Sequence, residues 1–188
     1  MAKKLITLFD LPIAAPSANL SERTSVTNIM DIDPILVKKI FVLKDKQSSH
    51  GLESTVVRID TNNEIEVLRY GSITVEELNK YAKVKIKKKS SISPGNLKKH
   101  YSTLKPIRMN AKRILKNEGL LNFGNNKLKS KIINLNLSNK KNLNEAAKNF
   151  YHYLHKLDQS RCKKIAVVKI PDKGLGKTIN DRLRRAIK

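Results

Sequence analysis

The chain has 188 residues, with 39 Lys and Arg against 16 Asp and Glu, a formal net charge of +23 and a hydrophobic share of 39%. That length and apolar content support a buried core, while a single cysteine, Cys162, excludes an internal disulfide and leaves no thiolate set for a metal. The sequence contains no apolar leader segment and no apolar run of membrane-spanning length, so a cytoplasmic protein without a membrane partner is expected.

Ala2 to Phe9 reads as a short helix ahead of Pro12-Ile-Ala-Ala-Pro-Ser-Ala-Asn19, where two prolines stiffen the backbone and leave Ser17 and Asn19 as short polar side chains on a turn. Together with Ser25-Val-Thr27 and Gly51-Leu-Glu-Ser-Thr-Val-Val57, this stretch sets small hydroxyl and amide groups between apolar runs. Such groups, with neighbouring backbone N–H donors, suit phosphate and carboxylate ligands. Asp33 to Lys39 has the pattern of a helical segment, followed by an apolar strand at Ile40 to Leu43. Two more strands are predicted, at Glu53 to Ile59 and Ile65 to Leu68, parted by the turn Asp60-Thr-Asn-Asn63. Thr74 with Glu77 makes a capping box, which predicts a helix from Val75 to Tyr81.

From Lys87 to Pro106 the pattern dissolves into an aperiodic basic linker that carries Ser93-Pro-Gly95 and His100-Tyr101. Beyond it the spacing predicts a strand at Lys131 to Leu137, a helix at Asn142 to Leu157, a strand at Ile165 to Ile170 and a helix at Lys177 to Ile187. In the first of these helices Leu143, Ala146, Ala147, Phe150, Leu154 and Leu157 form one apolar face. His152 and His155 lie three apart with no carboxylate or cysteine at ligand spacing, so they read as surface histidines. Gly174-Leu-Gly-Lys-Thr178 has the ending of a phosphate loop, but Pro171 stands where its first glycine belongs, and it reads as a glycine turn into the last helix. The expected division is 1–86, an α/β sheet domain; 87–106, a linker; and 107–188, a small α/β domain.

The lysines are scattered, with no aromatic-interleaved ribbon and no RNA-binding signature, so compositional bias and a basic RNA- or tRNA-binding module both remain readings of the charge.

The segments Ala2 to Ile6, Pro12 to Asn19, Gly51 to Val57, Leu68-Arg-Tyr-Gly-Ser-Ile-Thr74, Ser93-Pro-Gly95 with His100-Tyr101, and Gly174 to Ala186 carry a resemblance, nearly end to end, to the L-threonylcarbamoyladenylate synthases of the YrdC-like family in their long, two-domain form. The resemblance implies an incomplete YrdC-like α/β sheet domain followed by a linker and a small Rossmann-like α/β domain. It implies a nucleotidyltransferase that uses ATP as substrate with Mg2+, takes L-threonine and bicarbonate, releases pyrophosphate and is linked to tRNA through the threonylcarbamoyladenosine modification. Residue by residue it points to Ser17, Ser25, Arg69 and Tyr101, with Asn19 as an addition, for ATP, and to Ala15 and Ser54 for threonine. His100 is carried over with Tyr101.

The Lys-x-Arg segment that opens the family's catalytic domain has no counterpart here. The chain is therefore expected to be a C-terminal portion, incomplete alone, with a separately encoded N-terminal half as an expected partner; a remnant without catalysis is the alternative. Tyr70 and Val26 stand where the family usually carries proline, which loosens both turns.

Overall fold

The computed structural model of the protein describes residues 2–15, 17–43, 48–86 and 101–187. In chain order its elements are α1 (Ala2–Phe9), a 3-10 turn (Ile29–Asp31), α2 (Pro34–Val37), β1 (Val56–Ile59), β2 (Ile65–Arg69), α3 (Val75–Leu78), β3 (Val84–Lys85), β4 (Ile107–Arg108), β5 (Glu118–Asn122), β6 (Asn134–Asn136), α4 (Leu143–Gln159), β7 (Lys164–Val167) and α5 (Leu175–Ala186). The strands make two sheets, ordered β1-β2-β3 and β4-β7-β5-β6. In the first, β1 pairs antiparallel with β2 and β2 parallel with β3; every pairing in the second is parallel. This is the expected α/β class.

Local chemistry explains the element ends. The Thr74 hydroxyl accepts from the Glu77 amide at 3.2 Å, and the Glu77 carboxylate accepts from the Thr74 amide at 2.7 Å, which closes the capping box of α3. Asp33 and Asn142 cap α2 and α4 by accepting from amides one turn in. At the other end of α4, the Lys105 ammonium donates to the carbonyls of Leu157, Asp158 and Ser160, where the helix dipole is negative. The hairpin between β1 and β2 turns at Asp60, whose Oδ1 accepts from the amides of Asn62 and Glu64, and at Asn63 with φ of 54°.

Several expectations need correction. Residues 40–43 join no strand, and Phe41 is 89% exposed; an apolar run without a pairing edge stays irregular. Helix α3 stops at Leu78, short of Tyr81. Strands β3, β4 and β5 escaped the sequence reading, although all five residues of β5 are buried and it is one of the two inner strands of the second sheet. Ser93-Pro-Gly95, His100 and Pro16 lie outside the described residues.

The core is unevenly distributed. Leu120, Leu121, Leu137, Phe150, Leu154, Leu157, Ile165, Val167, Ile179 and Leu183 form one buried cluster between the second sheet, α4 and α5. By contrast α1 buries none of its residues, and Leu5, Ile6, Leu8 and Phe9 on it are exposed, as are Ile35, Val37, Val57 and Ile59. An apolar surface of this extent is normally covered in a soluble protein.

Candidate functional site

The Gly51–Val57 segment lies between helix α4 and residues 71–73 because two glycines permit it. Gly51 has φ of 67°, and a β-carbon there would meet the backbone of α4; a β-carbon on Gly71 would stand 2.3 Å from the Ser54 carbonyl carbon. Backbone therefore packs on backbone on both sides of the segment. The Ser72 amide donates to the Glu53 carbonyl at 2.8 Å, and the Thr55 hydroxyl donates to the Ile73 carbonyl at 2.6 Å, stitching the segment to residues 72–73.

Glu53 is its hub. One carboxylate oxygen accepts from Ser25 Oγ at 2.5 Å and from Tyr151 OH at 2.7 Å, and the other from Arg182 Nε at 3.0 Å. Burial raises the Glu53 pKa, but Arg182, Ser25 and Tyr151 together outweigh burial and hold it below the ordinary value. The same burial, reinforced by Glu53, pushes the Tyr151 hydroxyl well above its usual range, so it stays a donor. Beside the hub, Arg69 Nη2 donates to Ser54 Oγ and to the Ser54 carbonyl, each at 3.1 Å. On the exposed side of the segment the Ser54 hydroxyl and the Arg69 guanidinium can meet a carboxylate or phosphate.

Of the residues singled out from sequence, the structure brings Ser25, Ser54 and Arg69 together here. Tyr101 is close but 2% exposed: its ring stacks 4.6 Å from the Arg182 guanidinium carbon and 6.1 Å from the Tyr151 ring, so it forms a wall of the site. Asn19 Nδ2 donates to the carbonyls of Leu20 and Arg23, and its Oδ1 is buried, without a partner among the described residues, in a cleft of about 120 Å3 bounded by Arg23, Thr24, Ser102 and His155. That volume falls short of the roughly 300 Å3 of the smallest usual ligand sites. Ala15 and Ser17 are exposed in the preceding segment.

Glu53, Tyr151 and Arg182 were not singled out from sequence. The available signal was Arg182 on the apolar stripe of Ile179, Leu183 and Ala186, where a charge needs a buried partner. The histidines also differ from expectation. His152 Nδ1 lies 2.8 Å from Asp31 Oδ2, and His155 Nε2 lies 3.1 Å from Thr24 Oγ1 and 3.2 Å from the Ser25 carbonyl. Both dock α4 onto the segment that carries Ser25. The Gly174 turn is a dock as well: its amide donates to Glu76, Thr178 Oγ1 donates to the Gly71 carbonyl, and Lys177 lies over the Tyr70 ring at 5.2 Å. Glu76 occupies the place an anion would need.

Among known proteins, residues 73–187 match the family model described as the threonylcarbamoyl-AMP synthase C-terminal domain, and residues 1–71 match the Sua5/YciO/YrdC model described as telomere recombination. The chain is 26% identical to the threonylcarbamoyl-AMP synthase of Pyrococcus abyssi over 99% of its own length and 61% of that protein's, and 35% identical to the Schizosaccharomyces pombe enzyme of that name over 54% of its length and 28% of the other. It thus spans about three fifths of the Pyrococcus relative. In fold it is similar to the crystal structure of P. abyssi Sua5 complexed with L-threonine, with a TM-score of 0.79 at 24% identity over 98% of this chain and 60% of that one. A second P. abyssi Sua5 structure, a double variant with histidine and tyrosine replaced by alanine, gives 0.74.

Proposed function

From the premise that this chain belongs to the Sua5/YrdC-like family of threonylcarbamoyl-AMP synthases, we propose that it supplies one wall of a site in which L-threonine, bicarbonate and ATP are condensed to threonylcarbamoyl-AMP, with release of pyrophosphate and water. The observation that carries this reading is the grouping of Ser25, Ser54 and Arg69 around Glu53, on the segments that share the family's motifs. In this reading Ser54, with Ala15, receives threonine, while Ser25, Arg69 and Tyr101, with Ser17 and Asn19 alongside, face ATP. The product feeds threonylcarbamoyladenosine formation on tRNA, and the division at 1–86, 87–106 and 107–188 separates the site-bearing sheet from the small Rossmann-like domain.

Arg69 is the cation of the group and would meet charge developing on the α-phosphate as pyrophosphate departs. Its bonds to Ser54 hold the guanidinium at the mouth of the segment, so that the cation arrives already oriented. Among the described residues no cluster of three or more His, Cys, Asp or Glu could hold a metal. In this reading Mg2+ would arrive with the ATP phosphates and keep several of its waters.

The exposed apolar residues of α1, α2 and β1 support a second element of the reading: the opposite wall of the site comes from further polypeptide that covers this face. The test is pyrophosphate release that depends on all three substrates, with threonylcarbamoyl-AMP identified by mass. It is run on the purified chain and on the chain mixed with a polypeptide spanning the part of the Pyrococcus relative outside the matched region. Product in either sample, lost in Arg69→Ala, is expected. No product in both, from folded protein, overturns the proposal, and salt-sensitive RNA binding without ATP or threonine would put the basic module in its place.

A further inference from the structure

We infer that Arg182, on the last helix, is the positioning residue of the site: its one guanidinium fixes all three motif segments relative to one another. The inference rests on the functional reading above and extends it to a residue that touches no ligand.

The argument begins with cost. The Arg182 side chain is 0% exposed, and a buried guanidinium is tolerated only when its N–H groups are met by acceptors. Nε donates to Glu53 Oε2 at 3.0 Å, Nη1 to Asp181 Oδ2 at 2.6 Å and Nη2 to the Tyr70 carbonyl at 2.6 Å, while the face of the group lies on the Tyr101 ring. Burial works against its charge, but the Glu53 and Asp181 carboxylates keep it firmly protonated.

Each of these partners is a motif residue or the immediate neighbour of one. Glu53 precedes Ser54 and itself receives Ser25. Tyr70 follows Arg69, and its carbonyl sets the direction in which the chain leaves that residue. Tyr101 is the third. A planar fork bonds in fixed directions around its rim and stacks through its face, so it locks three segments at once; a lysine ammonium, a point charge on a flexible stem, cannot reproduce that geometry. Because Glu53 spends its carboxylate on Ser25, Tyr151 and Arg182, the pair is an internal brace and not a proton-transfer group. Ligands that need Ser25, Ser54 and Arg69 in register are then linked to the docking of α5, and that linkage is reciprocal.

The test compares wild type, Arg182→Met, Arg182→Lys and Glu53→Gln by amide hydrogen exchange, thermal melting and calorimetric titration with L-threonine and with ATP. In Arg182→Met, exchange over residues 53–57, 69–72 and 101–103 should rise roughly tenfold or more while β5 and β7 keep their protection. Arg182→Lys should recover most of the melting temperature but leave ligand affinity at least roughly tenfold weak, the split that a bulk packing role would not give. Unchanged exchange in the three segments, a uniform rise that includes β5 and β7, or Arg182→Lys restoring affinity in full would each overturn the inference. If Arg182→Met does not fold, Arg182→Lys and Glu53→Gln decide on the same exchange pattern. A wild type that binds neither ligand, alone and with the covering polypeptide present, would sink the functional reading, while the exchange pattern still decides the role of Arg182.

Discussion

A β-carbon on Gly51 would stand 2.2 Å from the carbonyl oxygen of Ala147, so the site segment and helix α4 meet backbone to backbone. Gly51→Ala must push the two apart as well as strain a φ of 67°. Gly174 has φ of 50° and ψ of −138° but its nearest neighbour would be 3.8 Å away, so Gly174→Ala carries only the backbone strain of about 1–3 kcal/mol. Chemical denaturation should show the larger loss for Gly51→Ala; equal losses would mean that the close approach is unimportant.

Arg69 and Ser54 sit at the open side of the site, and their mutual bonds are exposed. Arg69→Ala is expected to change folding stability by less than about 1 kcal/mol while abolishing substrate-dependent pyrophosphate release. A large loss of stability, or wild-type turnover, would remove Arg69 from the proposed chemistry.

Glu53 titrates below its ordinary 4.5 in the folded chain, with burial opposed by Arg182. A depressed acid stabilises above its unfolded pKa, and that stabilisation is lost as pH falls through the folded value. Glu118, held low chiefly by Arg108 inside the second sheet, behaves alike. Melting temperature should therefore fall on acidification below about pH 4.5. Glu53→Gln should flatten the part of that fall reported by exchange in residues 53–57, and Glu118→Gln the part reported by β5. An acid limb unaltered by either variant would contradict these assignments.

Leu157 is fully buried and Leu8 is 74% exposed. Leu157→Ala should cost about 2–5 kcal/mol, and Leu8→Ala less than about 0.5 kcal/mol in the isolated chain. With the covering polypeptide present, Leu8→Ala should instead weaken association, measured by sedimentation or titration.

The parts of the fold that depend on neighbours in sequence were legible: the Thr74–Glu77 box, the Asp60 turn and the apolar face of α4 follow from spacing alone. Strand β5 was not, since Glu118-Gly-Leu-Leu-Asn122 has the composition of a loop. Its Gly119 is demanded by packing, a β-carbon there lying 2.8 Å from Leu157 and 2.9 Å from Ile133. The Ile40–Leu43 run misled for the opposite reason, having the residues of a strand and no strand partner among the described residues. At the site, Ser25, Ser54 and Arg69 were visible because they stand in short motifs. Glu53 and Arg182 are 129 residues apart, and nothing in a basic Arg-Leu-Arg-Arg run marks one arginine as internal except its place on the apolar stripe.

The uneven core has a consequence for the order of assembly. Strands β4 to β7, with α4 and α5, bury the large apolar side chains and close over a short span of sequence, whereas the segments before residue 86 hold their positions largely through Gly51, Glu53, Asp31 and Gly71 docking onto α4 and α5. The half of the chain that leaves the ribosome first is then the half that settles last, waiting for Arg182 some hundred residues later. During that interval α1 and β1 display their leucines, isoleucines and valines, an exposure that favours association with other incompletely folded chains.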